Sequence, residues 1–330
     1  MKAIVYDGPH AVEYREVPDV APQEGWTKLK VSHAGVCGSD MTIYAGKHPR
    51  AKAPLIMGHE FSGYIAGPHP TLAEGTLVTV FPYLPCKACE RCKNGQFHVC
   101  KNLKLIGIDR DGGMAEYAQA PNDHFFVVPK GVSPALAAFI EPVGISVHVA
   151  RKGGYRPGDS ALVFGAGGIG LSTAITLRAF GAEHVMICEP NPARQTLARE
   201  LGFDVLDAQG DVIKQVYDRT DGDGAEHVFD CAGAQPVIDL LPDAVKINGE
   251  IVIVAGYKNP PAMNFQKGMF REFTIRFVRN CTRQDFSIAC DLIGKGLGYE
   301  RLLNYIIPLS EAQAGFTPPA SAYKVIFKAE

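Results

Sequence analysis

The chain has 330 residues, with 33 Lys or Arg against 35 Asp or Glu and a formal net charge of -2. This balance gives no indication of a nucleic-acid-binding or polybasic membrane surface, and no stretch approaches the roughly 18 uninterrupted apolar residues of a membrane span. The length suggests two domains, each large enough for its own core. The opening residues alternate like a strand and lack the apolar core of a signal peptide, so we expect a cytoplasmic protein.

The first 131 residues predict a β domain. Short apolar runs separated by Gly- and Pro-containing turns indicate an antiparallel, barrel-like arrangement. Strands are predicted at 28–31, 63–66, 77–80, 115–119 and 125–128. A helix is expected from Ser133, because a serine followed by Pro134 is a typical N-cap and first helical position.

From residue 156 the pattern predicts an α/β domain. Strands are expected at 160–164, 185–188, 226–230, 250–255 and 274–278, and helices at 171–180, 192–201, 211–218 and 235–244. Strands alternating with helices predict a parallel sheet covered on both faces. A helix over 283–295 and a strand over 323–328 follow. Because this last strand has no place in the parallel sheet, we expect it to return to the first domain.

A glycine-rich turn lies between the strand at 160–164 and the next helix. Its residues are Gly165, Gly167, Gly168, Ile169 and Gly170. In this context the glycines allow a tight turn and close approach of a pyrophosphate to the helix N-terminus. Glu189 follows the next strand, where a carboxylate accepts the ribose hydroxyls and repels a 2′-phosphate, so NAD is preferred over NADP. We expect Arg194 to pack beside the adenosine.

Nine cysteines occur, and this odd number in an unsecreted chain argues against a disulfide framework. Four of them, Cys86, Cys89, Cys92 and Cys100, lie within fifteen residues in a polar loop. Four thiolates can supply a closed, tetrahedral structural zinc site whose metal orders the loop. An iron–sulfur cluster or redox-active thiols are the alternatives.

A second set of residues suggests an open metal site. Cys37 stands in a Gly-rich turn, His59 and Glu60 follow an apolar stretch, and Glu141 is a carboxylate within an apolar segment. A thiolate, an imidazole and one carboxylate leave a fourth position for water or substrate, as a catalytic zinc requires. Each residue also has a simpler role that needs no metal. The cysteine could be a small core residue, the histidine could only be hydrogen-bonded, and Glu141 could lie at a helix end with an arginine partner.

The order of these motifs resembles the zinc-containing medium-chain dehydrogenase/reductase family, and the pairing of His59-Glu60 with Glu141-Pro142 resembles its sorbitol, butanediol and threonine dehydrogenase branch. The resemblance covers essentially the whole chain. It implies a GroES-like β-barrel catalytic domain at 1–148 with a structural-zinc lobe at 86–100, a Rossmann NAD-binding domain at 149–278, and a return to the catalytic domain at 279–330. It also implies a homodimer or homotetramer.

The resemblance further implies roles for residues. Two zinc ions bind per chain, with Cys37 and His59 as ligands of the catalytic one and Glu60 and Glu141 completing its shell, directly or through water. The metal acts as a Lewis acid while hydride passes to the nicotinamide in a cleft between domains. Ser39 matches the hydroxyl that passes on the substrate proton. Where relatives often have a histidine this chain has Thr42, so the relay runs through the cofactor ribose, a water or His48.

The substrate is less well defined by the sequence. Tyr44 and His48 fall in the stretch that should edge the pocket, and Arg279 follows the last strand, where it either holds an anionic substrate group or is a solvated surface residue. We expect NAD-linked oxidation of a secondary hydroxyl of a polyol, sugar alcohol or sugar acid, with threonine-type amino alcohols as the second candidate. A third hypothesis is a non-catalytic NAD(P)-binding protein with one structural zinc. The complete set of ligands for an open metal site argues against this hypothesis.

Overall fold

The computed structural model describes residues 1–329 and divides into two compact units. The first unit comprises Met1–Gly144 together with the chain from Thr282 onward, and the second comprises Ile145–Cys281. The domain boundaries expected from the sequence fall after residues 148 and 278. The first of these lies inside a helix, and the second directly follows a strand of the second unit.

The N-terminal segment of the first unit consists of short strands and a few helices. Its strands are β1 (Lys2–Gly8), β2 (Ala11–Glu16), β3 (Trp26–Gly35), β4 (Leu55–Ile56), β5 (Glu60–Ile65), β6 (Leu77–Val80), β7 (Tyr83–Leu84), β8 (Lys104–Leu105), β9 (Tyr117–Pro121) and β10 (Phe125–Val127). Its helices are α1 (Gly38–Tyr44), α2 (Glu90–Lys93), α3 (Pro134–Ala138) and α4 (Ile140–Lys152), the last of which continues into the second unit. Ser133 caps α3 as expected, its hydroxyl accepting from the Leu136 N–H at 3.2 Å.

The second unit is built on a parallel sheet. Its strands are β11 (Ala161–Phe164), β12 (Val185–Glu189), β13 (Asp204–Asp207), β14 (Ala225–Asp230), β15 (Val245–Ile253) and β16 (Thr274–Phe277), and its helices are α5 (Gly168–Ala179), α6 (Pro192–Glu200), α7 (Val212–Asp218), α8 (Gln235–Ala244) and α9 (Phe265–Arg271). The strand order β13-β12-β11-β14-β15-β16 confirms the predicted doubly wound sheet. Each residue of β11 and β12 is buried, as expected for strands covered on both faces.

Two elements of this unit were not predicted from the sequence pattern. Strand β13 has only two apolar residues between acidic ends, so neither alternation nor an apolar run marks it. Helix α9 exposes Phe265, Met269 and Phe270 instead of burying an apolar stripe.

The C-terminal segment completes the first unit. It contains α10 (Arg283–Ile293), β17 (Tyr305–Pro308), α11 (Ala312–Phe316) and β18 (Val325–Lys328). Strand β18 pairs antiparallel with β3 and parallel with β17. On its other side β3 pairs antiparallel with β5, whereas β9 pairs antiparallel with the start of β3 on the same side as β18. Strand β3 is therefore held by segments from both ends of the first unit, and the metal-site residues lie at its end.

Candidate metal centres and nucleotide cradle

Three residues at the ends of β3 and β5 bring potential ligand atoms together. Cys37 follows β3 and is the N-cap of α1, whereas His59 and Glu60 lie at the start of β5. Glu60 is directly opposite Gly35 in the β3–β5 register, so strand pairing brings it next to the Cys37 turn. The sulfur, imidazole and carboxylate ligand atoms all lie within 4.8 Å of one another. This combination of donors is one that zinc accepts.

A buried carboxylate stands behind the imidazole. Asp40 is fully buried, and its Oδ1 lies 3.8 Å from His59 Nδ1 while its Oδ2 accepts the backbone N–H of Cys37 at 2.9 Å. Burial opposes protonation of His59, but Asp40 and Cys37 raise its pKa well above the ordinary value. With Nδ1 turned toward Asp40, Nε2 is the nitrogen left for a metal. Carboxylates commonly orient metal-binding histidines in this way.

Several polar atoms of this cluster lack hydrogen-bond partners. Among the residues that the structure describes, Ser39 Oγ, Asp40 Oδ1 and His59 Nδ1 are buried without one. Buried polar groups are nearly always hydrogen-bonded, so a concentration of exceptions indicates a site that a further group completes. The donors fit a zinc ion, and the Ser39 hydroxyl is suited to contact a ligand.

Glu141 belongs to the same buried cluster but has a partner of its own. It lies in the first turn of α4, where its Oε1 accepts the Tyr83 hydroxyl at 2.5 Å. Burial raises the pKa of Glu141 to about 6, against the lowering effect of His59. Sequence reasoning did not identify Tyr83, because nothing near this tyrosine marks it as a partner of a carboxylate far along the chain.

Lys324 is a second residue that sequence reasoning missed. This lysine is buried just before β18, forms an ion pair with Glu60 and donates to the Val36 carbonyl at 2.9 Å. The sequence did carry a signal for this residue, because Lys324 lies in an otherwise apolar segment near the end of the chain. A lysine in such a segment is expected to have a charged partner, since lysine is seldom buried unless it is paired. The lysine adds a positive charge directly to the candidate metal centre.

The four cysteines of the 86–100 lobe form a second potential metal group. Cys89 Sγ lies 3.6 Å from Cys92 Sγ and 3.9 Å from Cys100 Sγ. Backbone N–H groups of Cys92 and Lys101 lower the pKa of Cys89 to about 6, which favours the thiolate form that binds metals. The lobe leaves Phe97 and Val99 substantially exposed, so it buries little apolar surface of its own.

The glycine-rich turn has the geometry of a phosphate cradle within the second unit. Gly165 follows β11 with a φ of +94°, Gly167 is the N-cap of α5, and Gly168 and Ile169 begin that helix. A Cβ on Gly170 would overlap the carbonyl oxygen of Gly165, so the close approach of turn and helix requires a glycine there. The N–H groups at the start of α5 are suited to an anion.

Glu189 and Arg194 flank this turn. Glu189 ends β12, and its carboxylate accepts N–H groups from Ala166 at 2.7 Å and Asn191 at 2.9 Å. Arg194 Nη1, from α6, lies 4.0 Å from the Glu189 carboxylate. Glu189 thus fixes the turn as well as offering charge to a nucleotide.

The residues suggested for substrate binding fall in different environments. Thr42 is exposed and donates to the Gly38 carbonyl of its own helix at 2.9 Å. His48 is half-buried, and its Nδ1 accepts the Ala51 N–H at 3.1 Å, which leaves Nε2 as the donor. Arg279 is exposed just after β16 in the second unit.

Tyr44 packs against the C-terminal segment of the first unit. Its ring is buried and stacked on Phe316 at 5.0 Å, and its hydroxyl accepts from Gln313 Nε2 at 2.6 Å. Through these contacts Tyr44 joins α1 to α11, and its place at the edge of a substrate pocket stays a prediction.

Comparisons with known proteins agree with this architecture. Residues 23–130 match the model of the alcohol dehydrogenase GroES-like domain, and residues 168–295 match that of the zinc-binding dehydrogenase family. The chain is 32% identical to L-galactonate-5-dehydrogenase of Escherichia coli (strain K12) over 86% of its length and 83% of the relative's. It is 34% identical to L-threonine 3-dehydrogenase of Pyrococcus horikoshii, over 83% of this chain and 82% of the relative.

Two further relatives cover almost the whole chain. Sorbitol dehydrogenase of Halalkalibacterium halodurans is 31% identical, with 94% of each chain covered. The crystal structure of a zinc-binding dehydrogenase from Sinorhizobium meliloti 1021 bound to NADP superposes with a TM-score of 0.94 at 28% identity, covering 99% of this chain and 98% of the other. The chain therefore belongs to the zinc-containing medium-chain dehydrogenase/reductase family, as its motifs predict. In residues 1–329, the helices are too short or too polar to span a bilayer.

Proposed function

We propose that this protein is a zinc-dependent, NAD-linked dehydrogenase that reversibly oxidises a secondary hydroxyl of a polyol, sugar alcohol or sugar acid to a ketone. The observation that carries the proposal is the convergence of Cys37, His59 and Glu60 ligand atoms within 4.8 Å, beside the unpartnered Ser39 hydroxyl. Similarity to a sugar-acid dehydrogenase and a sorbitol dehydrogenase supports the substrate class.

Cys37 and His59, with Glu60 or Glu141, would hold the catalytic zinc. Zinc supplies a Lewis acid that makes an alcohol more acidic. Asp40 presents its carboxylate to the Nδ1 side of the His59 ring at 3.8 Å, and Tyr83 holds the Glu141 carboxylate in place. Ser39 is the proposed acceptor of the substrate proton, because its buried hydroxyl is available to a ligand.

The onward proton route is proposed to include His48 instead of Thr42. The Thr42 hydroxyl is exposed and already donates within its helix, and it has no ionisable proton in the working pH range. Burial and the charges of Arg50 and His59 lower the pKa of His48, so a half-buried neutral imidazole is available on this route. Cofactor ribose or water would bridge the remaining steps.

NAD is the proposed cofactor, bound by the turn at Gly165–Gly170 and selected by Glu189. The carboxylate is buried at the end of β12, where a 2′-phosphate would meet its negative charge. Arg194 lies near both the turn and the carboxylate and is proposed to pack against the adenosine.

Replacing Glu189 by glutamine should weaken discrimination against NADP. Glutamine keeps an oxygen for the Ala166 N–H but removes the charge that repels a 2′-phosphate. Loss of a charge-assisted hydrogen bond is worth about 1.5–3 kcal/mol, so the NAD-to-NADP ratio of kcat/KM should fall roughly 10- to 100-fold. The exposed Glu183→Gln, just before the same strand, is the control and should leave the ratio unchanged. An unaltered NAD-to-NADP ratio in Glu189→Gln would show that the Glu189 carboxylate does not determine the cofactor preference.

Oxidation of the amino alcohol threonine is the second candidate, favoured by the similarity to L-threonine 3-dehydrogenase. A panel of polyols, aldonic acids and threonine, assayed for NAD reduction with protein of known zinc content, tests the proposal. Two zinc ions per chain and turnover of a polyol or sugar acid are expected. Preferential turnover of threonine would select the second candidate, and one zinc with an inactive panel would contradict both.

The protein is further proposed to be cytoplasmic and to form a homodimer or homotetramer. The large side chains Phe265, Met269, Phe270 and Phe277, on α9 and edge strand β16, are between 67% and 73% exposed. An unpaired edge strand with neighbouring exposed aromatic residues is suited to pairing with a second copy. Light scattering of the purified protein measures the subunit number, and a monomer would contradict this part of the proposal.

A further inference from the structure

A buried lysine lies within the candidate catalytic metal centre. Lys324 is only 8% exposed, its ammonium group pairs with Glu60 Oε2, and it donates to the carbonyl of Val36, the residue before Cys37, at 2.9 Å. Glu60 is itself 1% exposed. Lysine and glutamate are almost never buried to this extent unless they are paired, so each depends on the other.

The sheet brings these two residues together across a glycine. Gly35 in β3 lies opposite Glu60 of β5 on one side and Ile326 of β18 on the other. A Cβ at Gly35 would overlap the Glu60 carboxylate and lie 3.0 Å from Lys324 Cε. The missing side chain therefore leaves the space in which the lysine reaches over the central strand to Glu60.

With a metal bound, Glu60 would consequently be shared between two cations. Its carboxylate lies within 4.8 Å of the ligand atoms of Cys37 and His59, and it also pairs with the lysine ammonium. Each interaction with Glu60 weakens the other, because a carboxylate already neutralised by lysine is a poorer donor to a metal. Two positive charges at such short range also repel one another strongly inside a protein.

We propose that Lys324 is a positioning residue that holds the Glu60 carboxylate at the edge of the zinc pocket and weakens its bond to the metal. With this bond weakened, a zinc ion held by Cys37 and His59 would be a stronger Lewis acid than one that Glu60 also binds fully. The lysine also offsets part of the negative charge that the buried carboxylates Asp40, Glu60 and Glu141 can carry. This inference rests on the zinc site of the proposed function. It adds that Lys324 determines how strongly the ligand Glu60 binds the metal.

The test compares Lys324→Met with Lys328→Met, which changes the exposed lysine at the end of β18. Both variants should contain two zinc ions per chain. Release of the catalytic zinc to a chelator should slow about 10-fold or more in Lys324→Met and stay unchanged in Lys328→Met. With cobalt in the catalytic site, the visible absorption bands should shift in Lys324→Met alone, because Glu60 binds the metal more closely. Lys324→Arg, which retains the charge, should return both readouts toward the wild type.

Several outcomes would overturn the inference. Unchanged zinc release and an unchanged cobalt spectrum in Lys324→Met would show that the lysine does not compete for Glu60, while leaving the proposed function intact. Loss of the catalytic zinc in that variant would show that the lysine helps to build the site. If the methionine variant does not fold, Lys324→Gln, which keeps a donor for the Val36 carbonyl, replaces it with the same expectations. A wild-type protein with only one zinc would instead contradict the proposed function itself.

Discussion

Replacing Cys37 with serine is expected to lower kcat for alcohol oxidation on the order of 10³-fold, because the metal loses its thiolate ligand and several kcal/mol of charge stabilisation with it. The fold should be retained. Cys37 caps α1 through its backbone, whose N–H is held by Asp40, and serine preserves that contact. Zinc content should fall from two ions per chain to one, while binding of NAD to the second unit should persist.

The matched control is Cys290→Ala, which removes a buried thiol from α10 in the same unit. This variant should keep two zinc ions and full turnover. Metal analysis, steady-state kinetics and NAD titration on all three proteins distinguish loss of a ligand from general damage. Full turnover by Cys37→Ser would show that the residues brought together at the end of β3 are not the catalytic metal site.

Replacing Cys92 with serine should have the second-largest effect, on stability more than on chemistry. Cys92 is the most buried of the four lobe cysteines, at 4% exposure, whereas Phe97 and Val99 remain exposed, so apolar burial alone does not order this lobe. Structural zinc contributes on the order of 10 kcal/mol in small zinc domains, and its loss should release the 86–100 segment. Limited proteolysis should then cleave within the lobe, and the Tm should fall.

The control for this change is Ser substitution at Cys281, a fully buried cysteine outside the lobe. It should lower the Tm through the buried hydroxyl but leave zinc content and the proteolytic pattern of the lobe unchanged. A Cys92→Ser protein that kept two zinc ions and a protected lobe would refute a structural metal there. Retention of NAD binding by Cys92→Ser is expected, since the cradle belongs to the second unit.

The sequence was most informative where the chemistry is local. The lobe cysteines lie within fifteen residues, and the glycines at 165–170 lie between a strand and a helix, so short spacings alone indicated zinc and a dinucleotide. The parallel sheet was also predictable, because buried strands alternate with amphipathic helices. Strand β13 was missed because only two of its residues are apolar.

The partners of the candidate ligands were not predictable in the same way. Tyr83 reaches Glu141 and Lys324 reaches Glu60 only after distant strands have paired, and no local spacing marks either contact. The contacts of Tyr44 were hidden for a similar reason, because only the tertiary structure shows that α11 packs against its ring. Neighbours supplied by tertiary structure decide whether a polar residue faces a ligand or the core.

The pairing of β18 with β3 has a consequence for biosynthesis. While the chain leaves the ribosome, all strands of the second unit are available before β18 has been translated. Until then the end of β3, at residues 33–35, has one unpaired edge and Glu60 lacks its ammonium partner. Nascent chains should therefore acquire the nucleotide cradle before a complete catalytic metal centre, and translation arrested before Lys324 should leave an aggregation-prone intermediate for chaperones to hold.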